Sequence, residues 1–275
     1  MSASTTAQGT ALVTGASSGI GAVYADRLAR RGYDLVLVAR NRERLETLAQ
    51  RLISETGRRV TVCVADLNDD ADVARVEAML QSDASITTLI NNAGVGSTAP
   101  LLQADIGKMV AMIALNVTAL TRLTYAAVPG FVARGGGTIV NIASIAGVAP
   151  EILNGVYGGT KAFVVAFSRS LRHELGSKGL RVQVVLPGAT ATEFWEIAGT
   201  PVANMAEERR NRVMPATAMV DAALSGLDAG EFVTIPALPD IADWDAYEAA
   251  RRALFPNLSR AIPAERYRVG PHAAA

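Results

Sequence analysis

The sequence of 275 residues predicts an α/β protein with one doubly wound parallel sheet of about seven strands and helices on both faces. Two observations carry this prediction. Short apolar runs, such as the one at 35–38, alternate along the chain with longer segments of helical periodicity. These runs are continuously apolar, as expected for parallel strands that are covered on both faces. Hydrophobic residues make up 50% of the chain, which is enough for the core of one large domain.

The predicted elements follow one another in alternating order. The helix at 42–55 is typical: its apolar side is predicted to hold Leu45, Leu48, Leu52 and Ile53, and Gly57 closes it. The strands are predicted at 10–13, 35–38, 60–64, 85–90, 138–142, 180–186 and 232–235. The helices are predicted at 20–31, 42–55, 69–80, about 108–128, 157–175 and 216–227.

Charge and cysteine content argue against several classes of function. Lys+Arg and Asp+Glu are both 26, so no basic surplus favours nucleic acid or an anionic membrane as a partner. The single cysteine, Cys63, cannot form an intramolecular disulfide, which fits a reducing compartment and predicts a cytoplasmic protein. The first nine residues lack the basic and apolar pattern of a signal peptide. We find no run of about 18 apolar residues, so we expect no transmembrane helix, and we expect no metal site.

A glycine-rich loop joins the first predicted strand to the first helix. Residues 14–21 read Thr-Gly-Ala-Ser-Ser-Gly-Ile-Gly. Glycines let the backbone turn tightly and approach a phosphate, and the following helix presents free N–H groups and the positive end of its dipole. The loop in this context therefore predicts a nucleotide-binding site.

The residues after the second strand indicate which dinucleotide binds. An acidic side chain there would hydrogen-bond a ribose 2′-hydroxyl, but this chain has Arg40, Asn41 and Arg42. A guanidinium suits a 2′-phosphate, so NADP(H) is predicted over NAD. The alternative is that Arg40 and Arg42 are only solvated charges at the start of a helix.

Tyr157 and Lys161 lie four positions apart, which places a phenol and an ammonium on the same face of a helix. The lysine should lower the pKa of the tyrosine from its reference of about 10. A phenol that exchanges its proton is a general acid or base. Ser144 follows a strand and could instead be a cap or turn residue. Asn116 lies within an apolar helix, where its propensity is poor, and the alternative role is a structural kink.

The glycine loop, the run Asn-Asn-Ala-Gly at 91–94, Asn116, Ser144, Tyr157 and Lys161 occur in one order. With them the chain resembles the short-chain dehydrogenase/reductase family from about residue 10 to residue 235. The resemblance implies a single-domain Rossmann fold and an oxidoreductase that interconverts a ketone and a secondary alcohol by hydride transfer.

The resemblance also implies a catalytic tetrad of Asn116, Ser144, Tyr157 and Lys161. Tyr157 is the general acid or base, and Ser144 hydrogen-bonds the substrate oxygen. Lys161 lowers the pKa of Tyr157 and bonds the nicotinamide ribose, while Asn116 holds a water in a proton relay. The implied cofactor-binding residues are Gly15, Ser17, Ser18, Gly19, Ile20, Gly21, Arg40, Asn41, Asp66, Leu67, Asn92, Ala93, Gly94, Tyr157, Lys161, Pro187, Gly188, Thr190 and Thr192.

The expected roles of three of these residues are more specific. The backbone near Thr190 should hold the carboxamide, and the Thr192 hydroxyl should cap the next segment. Asp66 should contact the adenine, or else only cap the following helix.

Several residues bear on the substrate. Phe194 and Trp195 lie in the segment that forms the lid in relatives, at about 190–215, and either favour an apolar or aromatic substrate or only pack on the core. The glycines at 158 and 159 should lie at a helix start and allow close approach of a substrate or cofactor. The predicted pocket residues are Val95, Ile145, Ile152, Leu153, Phe194 and Trp195.

The organisation predicted from these features is a flexible N-terminus at 1–9, the dehydrogenase domain at 10–240, and a C-terminal extension at 241–275. Prolines interrupt the extension, but the segment 241–255 has apolar residues close to helical spacing. It could cover the active site, a neighbouring subunit or its own core. The helices that carry Asn116 and Tyr157 are long and apolar, and in relatives such helices pair across subunits, so we expect a homodimer or homotetramer.

The residues also bear on three other functions. A 3-oxoacyl reductase could bind an acidic carrier protein through Arg209, Arg210 and Arg212. A non-catalytic NADP-binding sensor would not need the whole tetrad. A hydrolase built on Ser144 and His173 lacks the Gly-x-Ser-x-Gly turn.

Overall fold

The computed structural model describes residues 8–153 and 155–267. The chain divides into two compact units, Met1–Pro236 and Ala237–Ala275. Most of the predicted flexible N-terminus and the last residues of the extension, 1–7 and 268–275, lie outside the described residues.

The first unit alternates strands and helices as predicted. Its strands are β1 Thr10–Thr14, β2 Asp34–Ala39, β3 Val60–Val64, β4 Ile86–Asn91, β5 Gly137–Ile142, β6 Leu180–Val185, β7 Thr190–Ala191, β8 Met214–Pro215 and β9 Val233–Thr234. Its helices are α1 Gly19–Arg30, α2 Arg42–Thr56, α3 Asp70–Ser82, α4 Ile106–Ile113, α5 Leu120–Ala133, α6 Gly155–Leu175, α7 Phe194–Ile197, α8 Glu207–Arg210 and α9 Ala216–Asp228.

Seven strands form one parallel sheet in the order β3-β2-β1-β4-β5-β6-β9. The strand order reverses between β1 and β4, and in such sheets ligands bind outside the carboxyl ends of the strands at this switch point. The predicted doubly wound fold is therefore confirmed. The short strands β7 and β8 pair separately, and they bracket the segment predicted as a lid.

Each face of the sheet has its own apolar core. Helices α1, α2 and α9 cover one face with Tyr24, Leu45 and Leu224, and helices α3, α5 and α6 cover the other with Leu80 and Phe131. Burying a side chain such as Leu or Phe contributes about 1.5–3 kcal/mol relative to leaving it exposed. The two layers hold the sheet rigid, so the carboxyl ends of its strands are a fixed platform.

The helix predicted at about 108–128 is longer and less regular than expected. Helix α4 continues through a π-helical turn, Ala114–Ala119, into α5, so the helical stretch covers Ile106–Ala133. The widened turn lies at Asn116, whose side chain bonds the main chain of another loop. A functional residue in a π-bulge is a common arrangement.

By length and composition alone, Ile106–Ala133 could cross a membrane, which differs from the expectation that no segment could. One third of its most apolar window is buried inside the protein. Leu123, Ala127 and Phe131 pack into the core beneath the sheet, which is the position of a core helix.

The second unit contains helix α10, Ile241–Ala253, within the segment where the spacing predicted one. The Asp240 side chain caps it by accepting a hydrogen bond from the Ala242 N–H. Within the helix the Trp244 and Tyr247 rings lie 5.1 Å apart, and Arg251 pairs with Glu248. Whether this extension covers the active site, a neighbouring subunit or its own core stays a prediction.

Candidate active site

The glycine loop between β1 and α1 is shaped by glycine at three positions. Gly15 and Gly19 have φ values of 67° and 53°, the left-handed region that glycine adopts without strain. A Cβ at Gly21 would lie 2.3 Å from the carbonyl oxygen of Gly15. Ser18 caps α1 without a side-chain capping bond, and the first turn has no acidic residue. The N–H groups at this helix start are therefore suited to a phosphate group.

Asn92 fastens the glycine loop to the end of β4. Its Nδ2 donates to the carbonyl of Thr14 at 2.8 Å, while the Thr14 hydroxyl accepts from the N–H groups of Asn92 and Ala93, both at 3.0 Å. These hydrogen bonds join the glycine loop to the end of β4, at the switch point of the sheet.

The residues that follow β2 lie on the same cavity as the glycine loop. Arg40 is largely exposed, and its Nη1 lies 3.9 Å from Oδ2 of Asp66. Asn41 caps α2 by accepting from the Arg44 N–H at 3.0 Å, a structural role beside its predicted cofactor contact. Asp66 accepts from the N–H of Asn68, whereas Asp69 is the residue that caps α3.

Tyr157 and Lys161 lie on one face of α6 as predicted, but their proton affinities differ from the expectation. Burial raises the pKa of Tyr157 to about 12, and the hydrogen bond with Ser144 opposes that rise. The predicted lowering of this pKa by Lys161 is therefore wrong, because desolvation of the phenol dominates and, among the described residues, the only group that lowers the pKa is Ser144. Burial also lowers the pKa of Lys161 to about 8. Its Nζ donates to the carbonyl of Ile142 at 2.9 Å and lies 5.8 Å from the centroid of the Tyr157 ring.

Ser144 has both of its predicted positions, next to the catalytic phenol and at the cap of a turn. Its hydroxyl hydrogen-bonds Tyr157, and it also caps a short 3₁₀ turn, Ile145–Gly147, by accepting from the Ala146 N–H at 3.1 Å. The turn holds the hydroxyl in place at the carboxyl end of β5. Ser144 therefore lies where it can share a substrate oxygen with the phenol.

Asn116 stands behind the cavity and ties three segments together. Its side chain accepts from the Val95 N–H at 3.0 Å and donates to the Val95 carbonyl at 2.9 Å and to the Thr160 hydroxyl at 3.1 Å. The Thr160 hydroxyl in turn donates to the carbonyl of Tyr157 at 2.8 Å. Thr160 was missed by the sequence reasoning, although its place beside Lys161 was a signal.

The two glycines after Tyr157 lie near the start of α6 as expected, but neither lines the cavity. Helix α6 begins at Gly155, so Tyr157 is already inside it. A Cβ at Gly158 would lie 2.7 Å from Cβ of Pro150, while at Gly159 nothing lies within 4 Å. The close approach at Gly158 is therefore to a neighbouring loop of the chain, not to a substrate or cofactor.

One cavity of about 510 Å³ is lined by the glycine loop, by Arg40 and by three of the predicted catalytic residues, Ser144, Tyr157 and Lys161, whereas Asn116 is not among its lining residues. All the predicted pocket residues line it, and so do the predicted cofactor residues except Gly21. Gly21 packs on Gly15 beneath the loop instead. The sequence reasoning missed three polar or charged lining residues, namely Arg44, Asn68 and Glu193.

Helix α7 closes the cavity above Tyr157. The Phe194 ring lies 5.6 Å from the Tyr157 ring, and the indole N–H of Trp195 donates to the Thr190 carbonyl at 2.9 Å. The Thr192 hydroxyl accepts from the Phe194 N–H at 3.3 Å, the cap expected at this position. Trp195 is buried and Phe194 half-buried, so the aromatic pair both packs on the core and faces the cavity.

The hydrolase arrangement is not formed. His173 lies 16 residues beyond Tyr157 on the same helix, which corresponds to about 24 Å along the helix axis. Ser144, which bonds Tyr157, therefore cannot reach it.

Comparison with known proteins agrees with this geometry. The family model described as short chain dehydrogenase matches residues 9–201. A short-chain dehydrogenase from Sphingobium yanoikuyae, solved in complex with NADPH, is 50% identical with a TM-score of 0.90, covering 94% of this chain and 100% of that one. The bulky-bulky ketone specific alcohol dehydrogenase from Comamonas testosteroni is 45% identical with a TM-score of 0.86, covering 95% and 99%. A very-long-chain 3-oxoacyl-CoA reductase from Anas platyrhynchos is 37% identical over 68% of this chain, and the match spans 62% of that protein's length.

Proposed function

Because the chain belongs to the short-chain dehydrogenase family, we propose that it is an NADP(H)-dependent oxidoreductase that interconverts an apolar ketone and its secondary alcohol, with Tyr157 as the general acid and base. One observation carries the proposal. The buried phenol of Tyr157 bonds Ser144 and shares a helix face with Lys161, in the same cavity as the glycine loop.

The chain's own groups divide the work of the reaction. When bound, the nicotinamide supplies or accepts the hydride at the carbonyl carbon. In ketone reduction the Tyr157 hydroxyl donates its proton to the carbonyl oxygen, which becomes the alcohol hydroxyl, and the phenolate that remains takes a proton from solvent. The Ser144 hydroxyl donates a hydrogen bond to the same oxygen and stabilises its developing charge. Oxidation runs through the same groups in reverse.

Lys161 and Asn116 support the phenol. A protonated Lys161 in the same buried cavity stabilises the phenolate. We propose that Asn116 takes part in the return of the proton through a bound water. Its hydrogen bonds to Val95 and Thr160 also hold the loop after β4 against the first turns of α6.

The preference for NADP(H) rests on Arg40. Its guanidinium stands exposed at the end of β2, where a carboxylate would repel a 2′-phosphate. Asp66 lies 3.9 Å away and leaves most of the guanidinium open. The Sphingobium relative, whose structure contains NADPH, supports the same choice.

The substrate class follows from the wall of the cavity. We call the part of the cavity lined by the predicted pocket residues its substrate half, and the part lined by the glycine loop and Arg40 its cofactor half. The substrate half is lined by Phe194, Ile145 and Leu153, and such side chains favour apolar substituents. The Comamonas relative acts on ketones with two bulky groups. We therefore place ketones that carry aryl or branched alkyl groups first among the candidate substrates.

A homo-oligomer in the cytoplasm is part of the proposal. Ile106 on α4 is 77% exposed and Tyr125 on α5 is 69% exposed, and Val110 and Phe163 add further apolar surface on α4 and α6. An apolar face of this size on long helices is typical of a subunit interface. Light scattering at micromolar concentration should give a dimer or a tetramer, and a monomer would contradict this part.

The test of the function is a panel of ketones followed by the absorbance of NADPH, with the Tyr157→Phe variant alongside. We expect the wild-type enzyme to reduce aryl ketones, and the variant to lose about 10²–10⁴-fold in kcat because it has no proton to donate. The variant should keep its affinity for NADPH in a fluorescence titration. Equal rates in the two proteins would refute the role of Tyr157.

A 3-oxoacyl reductase is the second candidate, favoured by the similarity to the Anas enzyme. The basic residues considered for a carrier partner, Arg209, Arg210 and Arg212, stand among acidic ones, and Arg212 pairs with Glu208 at 2.8 Å. A 3-oxoacyl thioester in the same panel decides between the candidates. A kcat/KM for the thioester well above that for every ketone would favour this reductase.

A further inference from the structure

The shape of the substrate half of the cavity depends on Gly96, a residue without a Cβ that lies against the ring of Phe194. A Cβ at Gly96 would lie 2.2 Å from Cζ of Phe194, and its three nearest atoms all belong to that ring. Gly96 is not among the described glycines with positive φ, so its backbone conformation suits any residue. The close ring, not the backbone, is therefore what calls for glycine here.

The ring that occupies this space is in contact with the catalytic phenol. Phe194 lies 5.6 Å from Tyr157 at a tilt of 52°, and Trp195 meets it edge-on at 5.5 Å. The edge-on arrangement is one that aromatic pairs prefer. Phe194 also packs against the apolar cluster that contains Met109, Met112 and Tyr157.

Hydrogen bonds restrict how far the helix that carries Phe194 can move. The Thr98 N–H and hydroxyl both contact the carbonyl of Ala198, at 3.0 and 2.9 Å, and the hydroxyl lies 2.9 Å from that of Thr200. At the other end the Trp195 indole is bonded to Thr190. A group added at Gly96 must therefore turn the Phe194 ring rather than lift the whole segment.

We propose that Gly96 is a specificity-determining position, because its missing Cβ sets where Phe194 stands and so how much room lies beside Tyr157. The larger substituent of the ketone, an aryl or branched alkyl group, takes that room. Gly96 acts through the ring and is a positioning residue, while Phe194 is the group that touches the substrate. The inference rests on the proposed ketone reduction.

The first test is Gly96→Ala, assayed with NADPH on cyclohexyl phenyl ketone and on 2-butanone. We expect kcat/KM to fall by about tenfold or more for the bulky ketone, mainly through KM, because one methyl group can be worth that much in a pocket. For 2-butanone the change should stay within about twofold. Gly176→Ala is the matched control, since nothing lies within 4 Å of a Cβ there. A uniform loss on both ketones would overturn the proposal.

The second test is a double-mutant cycle with Phe194→Ala. If Gly96 acts through the ring, Gly96→Ala should change the selectivity ratio by no more than about twofold once the ring is gone. An equal effect in both backgrounds would overturn the proposal. Phe194→Leu serves the same cycle if the alanine variant does not fold.

A spectroscopic readout separates this inference from the function on which it rests. Near-ultraviolet circular dichroism reports the Tyr157–Phe194–Trp195 cluster without any substrate. The signal should change in Gly96→Ala and stay unchanged in Gly176→Ala. If no ketone is reduced, the proposed function fails while this contact is still measured. If ketones are reduced but spectrum and selectivity do not change, only this inference fails.

Discussion

The two halves of the cavity differ in what holds their shape, and two glycines show the contrast. At Gly21, in the cofactor half, an added Cβ would lie 2.3 Å from a main-chain oxygen. At Gly96, in the substrate half, it would meet only the far end of a side chain. Main-chain atoms at Gly21 cannot move aside, whereas the Phe194 ring at Gly96 can turn. The shape of the cofactor half is therefore fixed by the fold, while the shape of the substrate half can be changed by substitution.

The largest effect should come from Gly21→Ala, which adds atoms where only main chain and the Asn92 amide are near. Overpacking of this kind costs about 1–3 kcal/mol. We expect a lower melting temperature and a large rise in KM for NADPH, because the displaced Gly15 carbonyl belongs to the phosphate loop. Thermal melting with and without NADPH measures both, and Gly176→Ala is again the control. A variant as stable as the control with unchanged KM would remove the contrast between the halves.

The next effect is on the choice of cofactor. Arg40→Asp should reverse the preference between NADPH and NADH, because a carboxylate repels the 2′-phosphate and can hydrogen-bond a ribose 2′-hydroxyl. A change of about 10²-fold in the ratio of the two kcat/KM values is expected, from the loss of one charge-assisted contact and the gain of a repulsive one.

The neighbouring Arg42 supplies the control for this substitution. It is exposed and pairs with Glu46 one turn along α2. Arg42→Asp places the same charge close by and should alter the ratio much less. Equal shifts in the two variants would mean that the general field of the surface, not Arg40, selects the cofactor.

The sequence marks the local elements of the cavity more directly than the contacts between distant segments that shape it. Continuous apolar runs mark buried strands, so β3 occurs at the predicted residues, and glycine spacing marks the phosphate loop directly. The contacts that shape the lid, from Gly96 to Phe194 and from Thr98 to Ala198, join positions about a hundred residues apart. No periodicity encodes such pairs.

The pKa of Tyr157 illustrates a second limit of sequence reasoning. The spacing to Lys161 is visible in the sequence and suggested a lower pKa. The burial that raises it depends on which segments pack above α6, and Phe194 is one of them. Local spacing thus identified the two groups but not the dielectric surroundings that decide their proton affinities.

The pH dependence of the reaction should reflect both buried groups. Ketone reduction needs a proton on Tyr157, whose pKa of about 12 keeps it protonated, and a charge on Lys161, whose pKa is about 8. The kcat/KM for reduction should therefore be level at low pH and fall as pH rises through about 8. Oxidation needs the phenolate and the charged Lys161 that stabilises it, so its rate should rise with pH up to about 8 and level off above that value. Stopped-time assays from pH 6 to about 10 test this, and a reduction rate that rises through pH 8 would contradict it.

The smallest change in KM for NADPH should come from breaking the ion pair between Arg44 and Glu193, which links the cofactor half of the cavity to the lid. Arg44 on α2 bonds Glu193 at the root of the lid at 2.7 Å, and the hydrogen bonds of Glu193 with Arg44 and Ser18 lower its pKa. Both side chains are about half exposed, so solvent and salt screen the pair. Glu193→Gln should raise KM for NADPH by less than about fivefold at low ionic strength, and the difference should vanish in high salt. Glu208→Gln, which breaks an exposed pair within the lid, is the matched control. A large, salt-independent loss in Glu193→Gln alone would mean that the two halves are held together more tightly than their exposed contact indicates.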